Sequence, residues 1–310
     1  MRSSVLLAAL CLAGALTGCK SRSRLVPDAV SRAADATPAL ATKLRVTRIE
    51  VTARAWSDQA GARPDDHALV VQVRQSLLAS NAFELAELDG AETGARLRID
   101  YGVDVVPGAG KDEARLQAAV LVKLRVPDDD EAGLDANVLG ERRLDTGEES
   151  RMAEFAALLV TRSIGEAVGG LIEKQRVRGG DLHTVLGALA GNDPQLRVVA
   201  FATIAERKLG GAVPRLLELL GEEDHRIRDG AIGALVALRA SQAIMPLTRL
   251  AKFEDLDTMR RVVDAIGSIG GDEARAYLEF VAGGHDEMVI SSLAKDALER
   301  LNRRASSLAR

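Results

Sequence analysis

Residues 181–304 repeat one pattern of apolar and polar positions about every thirty-one residues. In each copy, an apolar run with helical spacing precedes a polar turn, and a second apolar run follows it. The turns contain the pairs Asp193 and Arg197, Asp224 and Arg228, and Asp257 and Arg260. These arginines lie 31 and 32 positions apart (228 − 197 and 260 − 228). Because one helix pair cannot bury its apolar side alone, the pattern predicts an all-α solenoid of about four stacked pairs.

Residues 44–177 carry a different pattern, in which alternating segments outnumber helical ones. Over 96–105, for example, Leu97, Ile99 and Tyr101 alternate with Arg96 and Arg98, which predicts a strand with one buried face. The predicted strands are 44–56, 83–88, 96–105, 115–126 and 138–144, and the predicted helices are 68–79 and 151–174. This order predicts an α+β domain in which two helices cover one face of an antiparallel sheet. Gly179 and Gly180 then predict a hinge before the repeats.

The repeats resemble the HEAT family, particularly its bacterial form, in which Asp-x-x-(Val/Ile/Leu)-Arg-x-x-Ala recurs. Residues 193–200 and 224–231 match this motif, whereas the third copy has Val263 in place of Ala and a fourth lacks the Arg. The resemblance implies that the repeated Asp and Arg side chains form a structural ladder that caps helices and pairs neighbouring units. The ladder residues are Asp193, Arg197, Asp224, Arg228, Asp257 and Arg260. It also implies that the second helices of the pairs form a binding surface for another protein.

The N-terminus has the features of an export signal. A cationic start precedes an apolar run over 5–16, which is too short to remain as a membrane-spanning helix. The run ends in Leu16-Thr17-Gly18-Cys19, which resembles the lipobox of bacterial lipoproteins. The resemblance implies that residues 1–18 are a cleaved signal peptide and that a diacylglycerol is attached to Cys19. An ordinary secretory signal that ends in a chance cysteine is the alternative.

Residues beyond the lipobox indicate how the anchor is used. Residues 19–43 mix small, polar and proline residues without a period, which predicts a flexible tether after the lipidated cysteine. By resemblance to sorted lipoproteins, Lys20 favours the outer membrane, with the protein facing the periplasm. The other cysteine, Cys11, lies in the signal peptide, so the mature chain cannot form an internal disulfide. Residues 305–310 are predicted to be a tail.

The order of elements in the first domain adds a second, weaker resemblance. A helix is followed by Asn81-Ala82-Phe83-Glu84-Leu85, an arginine-rich strand, two further strands and a long helix. This order is similar to that of small envelope lipoprotein domains. They include the curli-secretion lipoprotein, the TolB N-terminal domain and the lipoprotein activators of penicillin-binding proteins. The resemblance implies an accessory role in envelope secretion or peptidoglycan synthesis.

Composition and motifs argue against several other functions. The net charge is −4 and aromatic residues make up 3% of the chain, so neither a basic field nor a stacking platform recruits nucleic acid. The histidines show no metal-binding spacing, and no nucleophile has a catalytic motif around it. The four histidines are His67, His183, His225 and His285. We therefore expect no catalytic residue, no metal, no small-molecule substrate and no cofactor beyond the covalent lipid on Cys19.

These patterns together predict a lipid-anchored cell-envelope protein that binds protein partners as a non-enzymatic scaffold or adaptor. Candidate contact positions lie between the apolar residues of the second helices: Glu206, Arg207, Arg239, Arg261 and Asp264. Two alternatives stay open. The α+β domain could act as the accessory factor of a secretion or peptidoglycan-synthesis complex, with the repeats as a spacer. The chain could also be related to the HEAT-like bilin lyases, although its export signal argues against cytosolic chemistry.

Overall fold

The computed structural model describes residues 43–86, 94–107, 114–127, 129–145, 147–251 and 255–308. The predicted signal peptide, the lipobox residues Leu16, Thr17 and Gly18, the anchor Cys19 and the tether through residue 42 lie outside these ranges. The described chain divides between an α+β region and an all-α region, as the sequence predicts.

The described residues of the α+β region form five strands and two long helices. Their bounds are β1 Leu44–Trp56, α1 Asp66–Ser80, β2 Phe83–Leu85, β3 Ala95–Pro107, β4 Ala114–Val126, β5 Asp129–Leu144 and α2 Met152–Gly179. Asp65 begins α1 because its side chain accepts the backbone N–H of His67, and Asn81 ends it in the left-handed conformation. β5 begins nine residues earlier than the predicted strand at 138, so β4 and β5 form a long hairpin.

The five strands form one mixed sheet in the order β2-β1-β3-β4-β5. β1 runs parallel to both β2 and β3, whereas the β3–β4 and β4–β5 pairs are antiparallel. The α+β class is confirmed, but the prediction of a purely antiparallel sheet is wrong. The helix α1 between β1 and β2 returns the chain to the same end of the sheet, so β2 pairs in parallel.

One sheet face forms the core of this region under α1 and α2. Leu97, Ile99 and Tyr101 are buried, whereas Arg96 and Arg98 on the same strand are exposed, which confirms the predicted alternation. The hydroxyl of Tyr101 donates to Asp66 at 2.6 Å and ties β3 to the start of α1. Burial, and secondly this hydrogen bond, raise the pKa of Tyr101, so the phenol stays protonated and keeps donating.

The first helix of the all-α region begins two residues after the second glycine of the predicted hinge. Its helices are α3 Leu182–Ala190, α4 Pro194–Arg207, α5 Val213–Leu219, α6 His225–Ala237, α7 Ile244–Leu250, α8 Leu256–Ile269, α9 Asp272–Gly284 and α10 Met288–Leu308. Each odd-numbered helix packs on the next one, and the second helices stack in series, α4 on α6, α6 on α8 and α8 on α10. The last helix runs to Leu308, so residues 305–308 are helical, contrary to the predicted tail.

Helix α2 connects the two regions through packing. Its buried positions recur every three or four residues from Phe155 to Gln175 against the sheet and α1, and Val177 belongs to the core of the helix stack. Its C-terminal part packs on α3 and α4. Within the described residues, α2 is the one helix long and apolar enough to cross a membrane, and half of its most apolar stretch is buried in the fold. Burial against the sheet accounts for that apolarity.

The predicted hinge at Gly179 and Gly180 is held by side-chain contacts. The guanidinium of Arg207, at the end of α4, donates to the carbonyl of Arg178 at 3.1 Å and to that of Gly180 at 2.5 Å. Asp181 then caps α3 by accepting the backbone N–H of Thr184. The hydrogen bonds from Thr184 lower the pKa of Asp181, so the cap stays ionised. The glycines therefore lie in a turn that side-chain hydrogen bonds join to α4, and the predicted hinge stays a prediction.

Replacing Arg207 tests how much this junction contributes to stability. We expect Arg207→Met to lower the free energy of unfolding by about 1–3 kcal/mol, because two partly buried carbonyls lose a charged donor. The exposed Arg226 provides the control, since Arg226→Met should change stability by less than about 0.5 kcal/mol. Urea denaturation of both variants measures the difference. Equal stabilities would contradict this role for Arg207.

Candidate protein-interaction surface

The repeated Asp and Arg residues of the first two units hold the turns inside each helix pair. Asp193 accepts the N–H groups of Gln195 and Leu196 at the start of α4, and Asp224 accepts that of Arg226 at the start of α6. Arg197 donates to the carbonyl of Gly191 at 2.8 Å. Arg228 makes the equivalent bond to Glu222 at 2.9 Å, six residues back in both cases. These hydrogen bonds lie within each helix pair.

The third unit departs from the alignment that the sequence suggests. The cap of α8 is Asp255, which accepts the N–H and the hydroxyl of Thr258, and Asp257 lies in the first helical turn instead. Asp193, Asp224 and Asp255 follow at intervals of 31 residues (224 − 193 and 255 − 224). In this register Met259 occupies the position of the turn arginine, and Arg260 is exposed at the next position.

The five candidate contact residues lie in three places. Arg207 is bound to backbone carbonyls at the junction, and Glu206 beside it pairs with Arg178 of α2. Arg239 lies in the turn after α6, in the left-handed conformation, rather than on a helix face. Arg261 and Asp264 lie on α8 and line one groove. The structure therefore reduces the predicted surface to the part formed by α6 and α8.

A shallow groove of about 350 Å³ lies between α6 and α8. Its lining is Asp229, Ile232, Gly233, Val236, Arg261, Asp264, Ala265 and Ser268. Small side chains therefore form much of the lining, and branched apolar side chains stand on the α6 side. The groove brings the predicted residues Arg261 and Asp264 together with Asp229, Ile232, Gly233 and Val236, which the sequence prediction missed. A signal for Asp229 was present, because it lies 32 residues before Arg261 and thus one repeat away.

Charged pairs connect consecutive second helices along this side of the stack. Arg178 of α2 pairs with Glu206 of α4 at 3.8 Å, and Asp229 of α6 pairs with Arg261 of α8 at 3.1 Å. Asp264 of α8 pairs with Arg300 of α10 at 3.5 Å. In each pair at least one side chain is substantially exposed. Such pairs contribute only about 0–1 kcal/mol to the free energy of unfolding. The second and third pairs place charges of both signs around the groove.

Glycines on the second helices serve two different purposes. A Cβ on Gly230 would lie 2.5 Å from the ring of Phe201, and one on Gly267 would lie 2.8 Å from the Cβ of Ala297. These two glycines are needed for close packing of neighbouring helices. A Cβ on Gly233 would meet nothing within 4 Å. A glycine inside a helix costs about 0.5–1 kcal/mol relative to alanine, so Gly233 lowers stability without a packing reason in the described fold.

The groove is lined by small, apolar and charged side chains. It contains two carboxylates, one guanidinium and one hydroxyl group, and no histidine or cysteine. Across the described ranges, no group of three or more His, Cys, Asp and Glu side chains is arranged to hold a metal ion. A surface with a small-residue floor, apolar walls and charges of both signs is suited to contact with another protein.

No family model matches this chain, and no curated protein matches it. Among solved structures, the chain is similar to the minor lipoprotein of Acinetobacter baumannii, with 14% identity and a TM-score of 0.29 over 43% of this chain and 90% of that one. It is also similar to rare lipoprotein B of Shewanella oneidensis, with 15% identity and a TM-score of 0.28 over 41% of this chain and 91% of that one. Both likenesses fall on the N-terminal part. At these TM-scores they assign no family, partner or activity.

Alanine substitutions separate the open glycine from the packing glycines. Gly233→Ala should raise the free energy of unfolding by about 0.5–1 kcal/mol, because a helix former enters open space. Gly230→Ala should lower it, because the new methyl group would overlap the ring of Phe201. Urea denaturation of both variants measures whether the free energy of unfolding rises in the first and falls in the second. Loss of stability in Gly233→Ala would show that this position packs against the chain itself.

Proposed function

We propose that this protein is a lipid-anchored component of a bacterial cell envelope that acts as a scaffold or adaptor without catalysis. The anchor is the diacylglycerol on Cys19, and the sorting preference inferred from Lys20 directs the protein to the outer membrane, facing the periplasm. The helix stack serves as a HEAT-like array that binds a protein partner through the groove between α6 and α8.

The main support for this proposal is the open space beside Gly233. Glycine at position 233 makes α6 less stable than alanine would, and it leaves the space beside the helix open. A side chain or the backbone of a partner can therefore approach α6 closely. Ile232 and Val236 offer apolar contacts, and the ion pair of Asp229 and Arg261 offers a donor and acceptors at the rim. Interfaces commonly combine an apolar centre with such a polar rim.

The anchor and the junction together define how the proposed scaffold works. Lipidation confines the chain to a bilayer and so raises its effective concentration near other membrane-bound proteins. Since α2 belongs to both cores and Arg207 fixes the turn after it, the groove keeps a set position relative to the sheet. A partner bound in the groove is thereby held at a defined place beside the α+β region.

Crosslinking in intact envelopes tests the groove. Gly233→Leu places a branched side chain in the groove and should reduce the yield of partner crosslinks more than tenfold. Gly187→Leu is the matched control, because Gly187 is also an exposed helical glycine with nothing within 4 Å of its Cβ, but it lies on α3. Both variants should accumulate like the wild type. Equal crosslinking in the two variants would contradict a binding role for the groove.

Metabolic labelling with radioactive palmitate tests the anchor. The wild-type chain should retain the label through detergent extraction, and Cys19→Ala should lose it, because the sulfur that bears the lipid is absent. Cys11→Ala is the control and should be labelled normally, since that residue lies in the predicted signal peptide. Label that persists in Cys19→Ala would contradict the assignment of the lipid to this residue.

A further inference from the structure

The sheet face opposite α1 and α2 carries charged side chains in rows that cross the strands. Pairing between β1, β3 and β4 places Arg48 beside Arg96 and Arg96 beside Arg125. All three lie at one end of the sheet, near the starts of β1 and β3 and near the end of β4. Like charges directly opposite one another on neighbouring strands are destabilising. Three aligned arginines therefore concentrate positive charge at this end of the sheet.

The neighbouring rows partly compensate this charge. Glu50 pairs with Arg48 at 2.6 Å, and Asp135 accepts from Arg125 at 2.7 Å. Asp100 is shared by Arg54 at 2.8 Å and Arg98 at 3.2 Å. Lys123 lies beside Arg98 on β4. We define the basic patch as Arg48, Arg54, Arg96, Arg98, Lys123 and Arg125. These strand rows hold six cations and the three carboxylates named above, so their balance is positive although the net charge of the whole chain is −4.

An apolar row adjoins the basic patch on the same face. Ala55, Gly102, Ala119 and Leu139 lie side by side across β1, β3, β4 and β5. Together with Leu121 they form the floor of a shallow groove of about 540 Å³. Leu139 is 72% exposed, which is unusual for so large an apolar side chain in the middle of a strand. The face therefore presents cations at one end and exposed apolar groups beside them.

The position of the basic patch relates it to the membrane anchor. The chain enters the fold at Leu44, the first residue of β1, and Arg48 follows four residues later. The sequence predicts a flexible tether from Cys19 to Lys43, and a flexible chain of this length reaches roughly 25–30 Å. A lipid on Cys19 therefore holds the arginine end of the sheet within reach of the bilayer. Arginine is suited to this location because its guanidinium can bind a phosphate oxygen pair.

We infer that the basic patch is a second membrane contact, which docks the arginine end of the sheet on the anionic phospholipid surface to which Cys19 is anchored. The guanidinium groups bind headgroup phosphates, and the exposed apolar row meets the interface beside them. Each cation near an anionic surface strengthens binding about fivefold. This inference rests on the proposed lipid anchor for its location, but the patch itself binds without the lipid.

Vesicle binding of the mature chain that carries Cys19→Ser tests the patch without the anchor. Vesicles of phosphatidylcholine, with or without phosphatidylglycerol, are separated from free protein by flotation. We expect the wild-type patch to bind the phosphatidylglycerol vesicles more than about tenfold better than phosphatidylcholine alone, and salt to reduce that preference. The variant Arg48→Gln, Arg96→Gln, Lys123→Gln should lose the preference.

The matched control removes the same charge elsewhere. Arg162→Gln, Arg215→Gln, Arg249→Gln changes three helical arginines and should keep at least half of the binding. Thermal unfolding verifies that both triple variants are folded. Equal losses in the two variants would overturn the inference in favour of a general charge effect. Binding to an immobilised poly-glutamate peptide without any preference for phosphatidylglycerol would overturn it in favour of an acidic protein partner. Neither result depends on palmitate labelling, so the lipid anchor on Cys19 and the basic patch are tested by separate experiments.

Discussion

Burial of one face of α2 along nearly its whole length is the constraint on which the rest of the structure depends. The first six turns of this helix cover the sheet, and its last turn contributes Val177 to the core of the helix stack. If either the sheet or the helix stack were removed, apolar side chains of α2 would be exposed to water. Neither the sheet nor the stack is therefore an independent module joined by a linker. The surfaces that we assign to a membrane and to a protein partner lie on one continuous framework.

The helix stack was the more predictable half of the fold because its determinants are local. A capping aspartate, a helix of about four turns and a repeat of fixed length leave a signal in neighbouring residues. The third unit shows the limit of that reasoning. The visible pair Asp257 and Arg260 resembled the earlier turns, whereas Thr258 selects Asp255 as the cap through its hydroxyl and its N–H. The choice between two nearby aspartates depends on side-chain geometry that spacing does not encode.

The sheet was predictable in its strands and in its buried face but not in its pairing. Alternation in β3 reports which residues face the helices, yet the same alternation suits a parallel or an antiparallel neighbour. Pairing of β1 with β3 depends on contacts about fifty residues apart, as between Arg48 and Arg96. The alignment of Arg48, Arg96 and Arg125 was hidden for the same reason. The candidate groove depended likewise on packing, since the sequence cannot show that Gly230 meets Phe201 whereas Gly233 faces open space.

Hydrogen exchange of α2 at increasing urea concentrations tests the shared-helix account most directly. If both cores depend on one helix, the amides of 155–172 and those of 173–178 should lose protection together, at the urea concentration at which the sheet and α4 also open. Introducing Ile204→Ala, which removes a fully buried side chain of α4, should lower that concentration for the sheet amides as well. Early exchange of 173–178, with the sheet amides unaffected by Ile204→Ala, would show two independent domains and contradict the account.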